Sequence, residues 1–225
     1  MPAIGMPSTP GMLVSPQISL EERTSGIIEG GTFSDVWVLS GANGLAGTPN
    51  WTKLAPSGNP ARGQYGASAV YDQTNNRLII FGGDSGTTGK GTNGVSVLLN
   101  ANGQGESPAW GTLQVSSSGD LPTARAFQSA VYDSATNQMV VFGGNDSEGL
   151  AYNDVWVLSN ANGRGGAAGW TKLQPTGPSG ILPTPRDCQT AVYDSTTNRM
   201  IIFGGSNYDD AWFNGVWVLT DANGT

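Results

Sequence analysis

Short motifs recur along this 225-residue chain at a nearly constant spacing of about sixty residues. Two of them return every 61 residues: Val-Tyr-Asp, which begins at Val70, Val131 and Val192, and Phe-Gly-Gly, which begins at Phe81, Phe142 and Phe203. A third, Val-Trp-Val-Leu, begins at Val36, Val155 and Val216, and Val95-Ser96-Val97-Leu98 stands in its place in the second copy. Three or more copies at a fixed period indicate a repeat architecture, in which each unit buries its apolar surface against its neighbours.

Each repeat is predicted to form four β-strands. In the copy at 117–176 these are Gln128 to Asp133, Gln138 to Phe142, Val155 to Leu158 and Trp170 to Leu173. Runs of Val, Ile, Phe and Trp bounded by Gly, Asn and Asp are typical of strands. Several runs are apolar on both faces, which requires cover on both sides. Asn-Gly pairs favour tight hairpin turns, and they begin at Asn43, Asn102, Asn162 and Asn223. The sequence therefore predicts an all-β array.

The composition excludes several classes of function. The net charge is −7 with only ten Lys and Arg residues, and binding to nucleic acid or an anionic membrane needs a basic patch. The chain has no histidine, which removes Ser-His-Asp and Cys-His catalysis and histidine-ligated zinc. Its single cysteine, Cys188, excludes an internal disulfide and a cysteine-cluster metal site.

The chain start carries no targeting signal that we recognise. Met1 to Glu22 lacks the basic and sustained apolar regions of a secretory signal, and no apolar run reaches the length of about 18 residues that a membrane span needs. We expect a soluble protein of unknown compartment, with a flexible leader at 1–25 that includes one strand at Met12 to Leu20.

The repeated unit resembles the kelch repeat, the blade of kelch β-propellers. The glycine pair after the second strand, the Trp of the third strand and the Pro-x-x-Arg entry at Pro122 to Arg125 and Pro183 to Arg186 match that pattern, and Pro60-Ala61-Arg62 is a shortened version. The resemblance covers residues 26 to 225. It implies kelch-type blades of four antiparallel strands around a common axis, with the first strand of each blade lining the channel.

The repeats divide the chain into four predicted blades: a partial blade at 26–57, blades at 58–116 and 117–176, and a partial blade at 177–225. Propellers close with about four to eight blades, and an open blade edge presents unpaired backbone groups. We expect this incomplete ring of about three and a half blades to close by self-association, as a dimer with about seven to nine blades. The alternative is a four-blade ring closed by the Met12 to Leu20 strand.

Three loop arginines are candidate ligand-binding residues, because the resemblance places them at the channel mouth: Arg62, Arg125 and Arg186. A ring of guanidinium groups binds carboxylate or phosphate bidentately. Gln128 and Gln189 follow three residues after two of them and are candidates for amide contacts. The alternative interpretation is that each arginine holds its neighbouring loop carbonyls.

Acidic loop residues and the cysteine are weaker candidates. Asp146, Glu148, Asp209 and Asp210 are the candidate ligands of a Ca²⁺ or Mg²⁺ site, because such ions prefer carboxylate oxygens; the alternative is that they are solvated acids. Cys188 is a candidate nucleophile, because nearby arginine lowers a thiol pKa; the alternative is a free structural cysteine. The repeated Asp72, Asp133 and Asp194 are expected to hold turns. No resident cofactor is predicted apart from that ion.

The leading functional interpretation is a non-catalytic recognition module that binds a peptide, protein or glycan at a propeller face. Its expected partners are a second copy of the chain and a peptide, protein or small anionic ligand. The alternative is a hydrolase or lyase without histidine, acting on an anionic ester or carboxylate in the channel. A third interpretation is a fragment of a longer surface protein with no activity alone. One fold hosts many functions, so the resemblance by itself leaves these open.

Overall fold

The computed structural model describes residues 33–45, 47–59, 64–84, 91–116, 119–207 and 211–225. Within these ranges the chain forms thirteen β-strands in four antiparallel sheets, with one 3₁₀ turn at Pro178–Gly180. No helix in the described ranges has the length and apolar character needed to cross a membrane. The predicted leader at 1–25, with its Met12 to Leu20 strand, lies outside the described residues.

The two middle sheets each contain four strands in chain order. The second sheet is β3 (Ser68–Asp72), β4 (Arg77–Phe81), β5 (Val95–Leu99) and β6 (Ala109–Thr112). The third is β7 (Ser129–Asp133), β8 (Gln138–Phe142), β9 (Val155–Ser159) and β10 (Gly169–Leu173). Each strand pairs antiparallel with the next. The prediction of all-β, four-stranded antiparallel blades is confirmed.

The two outer sheets have fewer described strands. The first sheet pairs β1 (Val36–Ser40) with β2 (Asn50–Leu54). The last sheet holds β11 (Thr190–Asp194), β12 (Arg199–Phe203) and β13 (Val216–Thr220) in that order. By the repeat, β1 and β2 are the two outer strands of a blade, and β11 to β13 are the three inner strands of another.

The turn between the first two strands of each blade is built by the repeated Asp and Asn. In the third sheet, the Asp133 carboxylate accepts hydrogen bonds from the Ala135 amide (3.0 Å) and the Thr136 hydroxyl (2.6 Å). Asn137 has a φ of 56°, a left-handed conformation that Asn tolerates. The Tyr132 hydroxyl donates to Asn137 Oδ1 at 3.0 Å. The repeated aspartates therefore serve the turns in the way the sequence predicts.

Adjacent blades pack face to face around their inner strands. β7 contacts both β3 and β11, so the first strands of successive blades are neighbours. Between the second and third sheets, Phe81 packs against Trp170 with ring centroids 4.9 Å apart, and Trp156 meets the same Trp170 edge-on at 6.5 Å. Such aromatic contacts add to the free energy gained by burying apolar area.

Hydrogen bonds also join neighbouring blades. Gly83 N donates to Arg125 O at 2.8 Å, and Gln128 Nε2 donates to Phe81 O at 2.9 Å. Gly82 has a φ of 71°, and a Cβ there would lie 2.6 Å from Gln128 Nε2. A Cβ at Gly143 would likewise lie 2.6 Å from Arg186 O of the next blade. The first glycine of the pair at these two positions is therefore required by the close approach of the next blade as well as by its backbone conformation.

One face of the last sheet is apolar and exposed. It consists of Val192, Phe203, Val216 and Val218, and we call it the C-terminal face. These side chains are 52–63% exposed. Their counterparts 61 residues earlier, Val131, Phe142, Val155 and Val157, are only 3–6% exposed because the last sheet covers them. The C-terminal face is thus a blade-to-blade packing surface that no described residue covers.

Candidate functional site

The loops before the first strand of each blade and those after its second strand meet at one end of the sheets, which we call the loop end. There, Tyr65 N bonds Asp84 O at 3.0 Å, Ala126 N bonds Asn145 O at 2.9 Å, and Asp187 N bonds Ser206 O at 2.9 Å. Two of the loop arginines predicted from the sequence, Arg125 and Arg186, lie at this end. Loops on a rigid scaffold are common sites of recognition.

Arg125 is fully buried, and its guanidinium donors are directed at protein atoms. Nε bonds Thr123 O at 3.1 Å, and Nη1 bonds Gly143 O at 3.0 Å. Nη1 and Nη2 also bind the Asp154 carboxylate, at 2.6 and 3.2 Å. The group lies 4.4 Å from the Tyr152 ring centroid. These contacts favour the interpretation that Arg125 holds its loop, and ligand binding by this residue stays a prediction.

Arg186 repeats only part of this arrangement. Its Nε bonds Thr184 O and its Nη1 bonds Gly204 O, both at 2.9 Å, and it stacks on Phe213 at 4.3 Å. Gly215 occupies the position that Asp154 holds in the preceding blade, so no carboxylate of the described residues pairs with this 2%-exposed cation. Burial lowers the pKa of Arg186. The four hydrogen bonds of Arg125 use four of its five N–H donors, whereas Arg186 makes two. Of the two described arginines, Arg186 therefore has more donor capacity left for an acidic group.

Arg62 lies outside the described residues. The loop-end hydrogen bonds align Tyr65 with Ala126 and Asp187, which places Gln64, rather than an arginine, in register with Arg125 and Arg186. The structure therefore shows two arginines at equivalent positions, and the predicted ring of three stays untested at Arg62.

Gln128 and Gln189 connect neighbouring blades. Their Nε2 atoms donate to the carbonyls of Phe81 and Phe142, each at 2.9 Å. Both side chains are buried, and their Oε1 atoms accept no hydrogen bond from the described residues. The Nε2 group of each amide therefore holds two blades together. The predicted contact with a ligand could be made only by the Oε1 atom, which would accept a hydrogen bond.

The predicted metal ligands are only partly described. Asp146 accepts hydrogen bonds from the amides of Glu148 (3.0 Å) and Leu150 (2.9 Å) and from the Tyr152 hydroxyl (2.7 Å). Burial raises the pKa of Asp146, but these hydrogen bonds outweigh it and the pKa lies below its usual value.

Asp209 and Asp210 lie outside the described residues. Elsewhere in the described part of the chain no group of three or more His, Cys, Asp or Glu residues is placed to hold a metal ion. The carboxylate of Asp146 already holds its own loop, and a Ca²⁺ or Mg²⁺ site stays a prediction.

Cys188 belongs to a backbone ladder at the loop end. Its amide donates to Phe127 O at 2.9 Å, and the Phe127 amide donates to Gly66 O at 2.7 Å. Cys188 has a φ of 55°, the left-handed conformation that all three ladder residues share. Partial desolvation of the thiol and the charge of Asp187 raise the pKa of Cys188, although the side chain keeps solvent-exposed surface. This shift is opposite to the effect expected of an activated nucleophile.

We expect Cys188 to react slowly with Ellman's reagent at pH 7 and faster as the pH rises past the value at which free cysteine titrates, about 8.5. The side chain is exposed, so the low thiolate fraction, and not access, limits the rate. The measurement is the rate of absorbance change against pH, with N-acetylcysteine as reference and Cys188→Ser as blank. A rate at pH 7 above that of the reference would restore the nucleophile hypothesis.

The loop end also carries exposed apolar side chains that are not among the predicted site residues. Tyr65, Leu121, Leu150 and Trp212 are 38–86% exposed, with Trp212 the most exposed at 86%. Leu150 and Trp212 stand on loops that are internally hydrogen-bonded, through Asp146 in one and through Asn207, whose Oδ1 accepts from the Ala211 amide, in the other. Apolar side chains exposed at one end of a protein are candidates for contact with a partner, because a contiguous apolar surface marks interaction sites.

The radial four-stranded sheets, with their first strands adjacent and their loops gathered at one end, define a β-propeller segment. The family described as the KLHDC2/KLHL20/DRC7 Kelch-repeats domain matches residues 25–177, more than half of the chain. The chain therefore belongs to the kelch-repeat family, as the resemblance in the sequence implied.

Relatives and solved structures agree with this fold. Dynein regulatory complex subunit 7 of Chlamydomonas reinhardtii is 29% identical over 133 residues, which cover 59% of this chain and 10% of that protein. The structure of YjhT is similar with a TM-score of 0.52 and 20% identity over 76% of this chain and 46% of that one. A copper-bound fungal alcohol oxidase of the AA5 family is similar with a TM-score of 0.56 and 18% identity, over 84% of this chain and 37% of that one. The chain thus spans less than half the length of each of these proteins.

Proposed function

We propose that this chain is a kelch interaction module that binds a peptide, protein or glycan through its loop end. The observation that carries the proposal is the set of exposed apolar side chains there, among them Leu150 and Trp212. An indole that is 86% exposed gains free energy when a partner covers it, and aromatic residues are frequent anchors of binding energy. No observation in the described residues favours the hydrolase or lyase alternative.

Arg186 supplies the charged contact of the proposed site. Its Nη1 and Nε are used by loop carbonyls, and the position of its missing carboxylate partner is occupied by Gly215. A partner with an acidic group opposite this guanidinium gains a charge-assisted hydrogen bond in a poorly solvated place. The predicted anion-binding role therefore centres on Arg186 and not on Arg125.

Trp212→Ala is expected to weaken binding at the loop end about tenfold or more, since a buried aromatic anchor contributes about 2 kcal/mol or more. The test compares wild type with Trp212→Ala on arrays of peptides and glycans. Leu45→Ala is the matched control, because Leu45 is 84% exposed in the β1–β2 turn at the opposite end. Both variants should keep the wild-type melting temperature.

Array signals that survive Trp212→Ala at full strength would contradict the loop-end site. The absence of any signal from wild type on both arrays would contradict the function itself.

We also propose that two copies of the chain associate, with the C-terminal face of one covering the outer side of β1 and β2 in the other. Trp37 and Trp51 are exposed on that side and correspond by repeat to Trp156 and Trp170. Association places Phe203 against Trp51 as Phe81 packs against Trp170 within the chain. It also brings Asn43 of one copy to Asp194 of the other, as Asn162 Nδ2 bonds Asp72 at 2.6 Å.

A further inference from the structure

Two arginines from neighbouring blades meet at the end of the sheets opposite the loop end, which we call the turn end. Arg77 begins β4 in the second sheet, and Arg164 lies in the loop between β9 and β10 of the third sheet. Arg77 Nη1 donates to Asn162 O, and Arg164 Nη1 donates to Asn75 Oδ1 at 2.7 Å. Each guanidinium therefore reaches across the junction to bind the other blade.

The contacts around one carboxylate show that the two guanidinium groups are close together. The side chains of both asparagines donate to the same atom, Asp72 Oδ2, at 2.8 and 2.6 Å, so the residues that the arginines bind are adjacent. A Cβ at Gly163 would lie 3.5 Å from Arg77 Nη1, and Arg164 is the next residue along the chain. Burial and the charge of Arg164 lower the pKa of Arg77, and the charge of Asp72 offsets them only in part.

Most of the hydrogen-bonding capacity of this arginine pair is left over. Asp72 is 1% exposed, its Oδ1 accepts from the Asn75 amide at 3.2 Å, and no salt bridge among the described residues joins it to either arginine. A guanidinium has five N–H donors, and each of these two uses one on the described residues. Arg77 is half-buried and Arg164 is exposed, so a ligand can approach the pair from the Arg164 side.

We propose that Arg77 and Arg164 bind a phosphate monoester group at the junction of the second and third sheets. Such a group carries a charge of about −1.5 to −2 near pH 7 and has three acceptor oxygens, so it can accept hydrogen bonds from both guanidinium groups at once. Arginine binds phosphate bidentately, and one dianion offsets the repulsion between the two cations. The site lies at the opposite end from the loop end, and the proposal does not depend on the function proposed there.

The repeat supplies an internal comparison, because the equivalent junction has neither arginine. Between the third and last sheets, Gln138 and Thr225 occupy the two positions. The hydrogen bond that joins the blades is kept there, since Asn223 Nδ2 donates to Asp133 Oδ2 at 2.8 Å. Packing of one blade on the next therefore does not require the arginine pair, which favours a role in binding.

The probe is phenyl phosphate, titrated into the full chain by isothermal calorimetry near pH 7 at constant ionic strength. We expect saturable binding at one site per chain. Arg164→Gln should weaken it about tenfold or more, because charge-assisted hydrogen bonds to the phosphoryl oxygens are lost. Arg164→Lys should recover part of the affinity, since it keeps the charge but not the bidentate geometry.

Arg199→Gln is the matched control for net charge. Arg199 occupies the position of Arg77 in the last sheet and is exposed, and its replacement changes the net charge by the same amount as Arg164→Gln. This variant should bind phenyl phosphate as wild type does, and all the variants should keep the wild-type melting temperature.

Parallel titrations define the chemistry of the ligand. Inorganic phosphate and O-phosphoserine distinguish a free ion from a phosphorylated side chain as the better source of the group, and binding of either supports the site. Benzoate has the same ring as phenyl phosphate and a single negative charge, and it should bind at least about tenfold more weakly.

The proposal is wrong if none of the phosphorylated probes binds saturably, or if Arg164→Gln binds them as tightly as wild type. An equal loss of affinity in Arg199→Gln would also overturn it, because net charge and not the arginine pair would then be responsible. Benzoate binding as tight as that of phenyl phosphate would contradict the assignment to a phosphate monoester.

Discussion

Arg125→Met is expected to lower the free energy of unfolding by about 3 kcal/mol, because removing one partner of a buried ion pair is strongly destabilising. The Asp154 carboxylate would keep only Lys172, 3.7 Å away and 44% exposed, as a cationic partner. The Arg125 side chain is fully buried and that of Asp154 is 14% exposed. The two form a bidentate pair, and Asp154 also accepts a hydrogen bond from Trp156 Nε1 at 2.8 Å. The measurement is urea unfolding followed by tryptophan fluorescence.

The same pair gives the protein a pH-dependent stability. Burial raises the pKa of Asp154, but the hydrogen bonds and the charge of Arg125 outweigh it and hold the pKa below its usual value. A carboxyl with a depressed folded pKa stabilises the fold above its unfolded pKa, about 3.9, and loses this contribution as the pH falls through the folded pKa. The stability difference between wild type and Asp154→Asn should therefore be constant from pH 5 to 7 and shrink below about pH 4.

Lys53→Met is the matched control for the ion pair. Lys53 lies 3.4 Å from Asp35, with side chains 57% and 34% exposed, and Trp37 Nε1 donates to that same carboxylate at 2.8 Å. The geometry repeats that of Asp154 and Trp156 in an exposed place, so the loss should be at most about 1 kcal/mol. An Arg125→Met variant as mild as Lys53→Met would show that the buried pair is not structural, and would favour the ligand-binding role.

Phe81→Ala is expected to destabilise the chain by about 3–5 kcal/mol, the usual cost of removing a buried aromatic ring and leaving a cavity. Phe81 has no exposed surface and packs on Trp170 between the second and third sheets. Because Trp170 loses its partner, its fluorescence should also change in the folded state. Thermal and urea unfolding give the magnitude.

Phe203→Ala provides the internal comparison for Phe81→Ala. Phe203 occupies the same position of the repeat, but on the C-terminal face, where it is 52% exposed. Measured at high dilution, where association is negligible, its replacement should cost less than about 1 kcal/mol. Equal losses from the two variants would mean that the last sheet is covered within a single chain, and the proposed association would fail.

The fold could be predicted well from the sequence because equivalent positions can be aligned between the copies of the repeat. Strand β8 was predicted at its observed bounds, and β7, β9 and β10 within one residue at one end. The Asp and Asn of the first turn were correctly assigned to turn geometry, because local hydrogen bonding decides such turns. The Asn-Gly turns differ from the prediction in which residues have a positive φ. In each turn the glycine has a positive φ, and so does the residue two positions before the asparagine, as in Asn100, but the asparagine itself does not.

The candidate site was less predictable, because its contacts join residues far apart in sequence. Asp154 is 29 residues from Arg125, and nothing near the arginine indicates its partner. The signal that does exist is the Asp-x-Trp pattern, present at Asp35 and Asp154 and replaced by glycine at Gly94 and Gly215. Likewise, counting back from Tyr71 would have placed Gln64, rather than Arg62, at the arginine position.

Solution mass is the most direct test of the claim that the exposed blade faces of this propeller segment let two copies of the chain associate. By light scattering over a range of concentrations, wild type should approach twice the 23.2 kDa of one chain. Val216→Lys, at a C-terminal-face residue that is 63% exposed, should remain at 23.2 kDa, and Leu45→Lys should behave as wild type does. A wild-type mass of 23.2 kDa at every concentration would contradict the association.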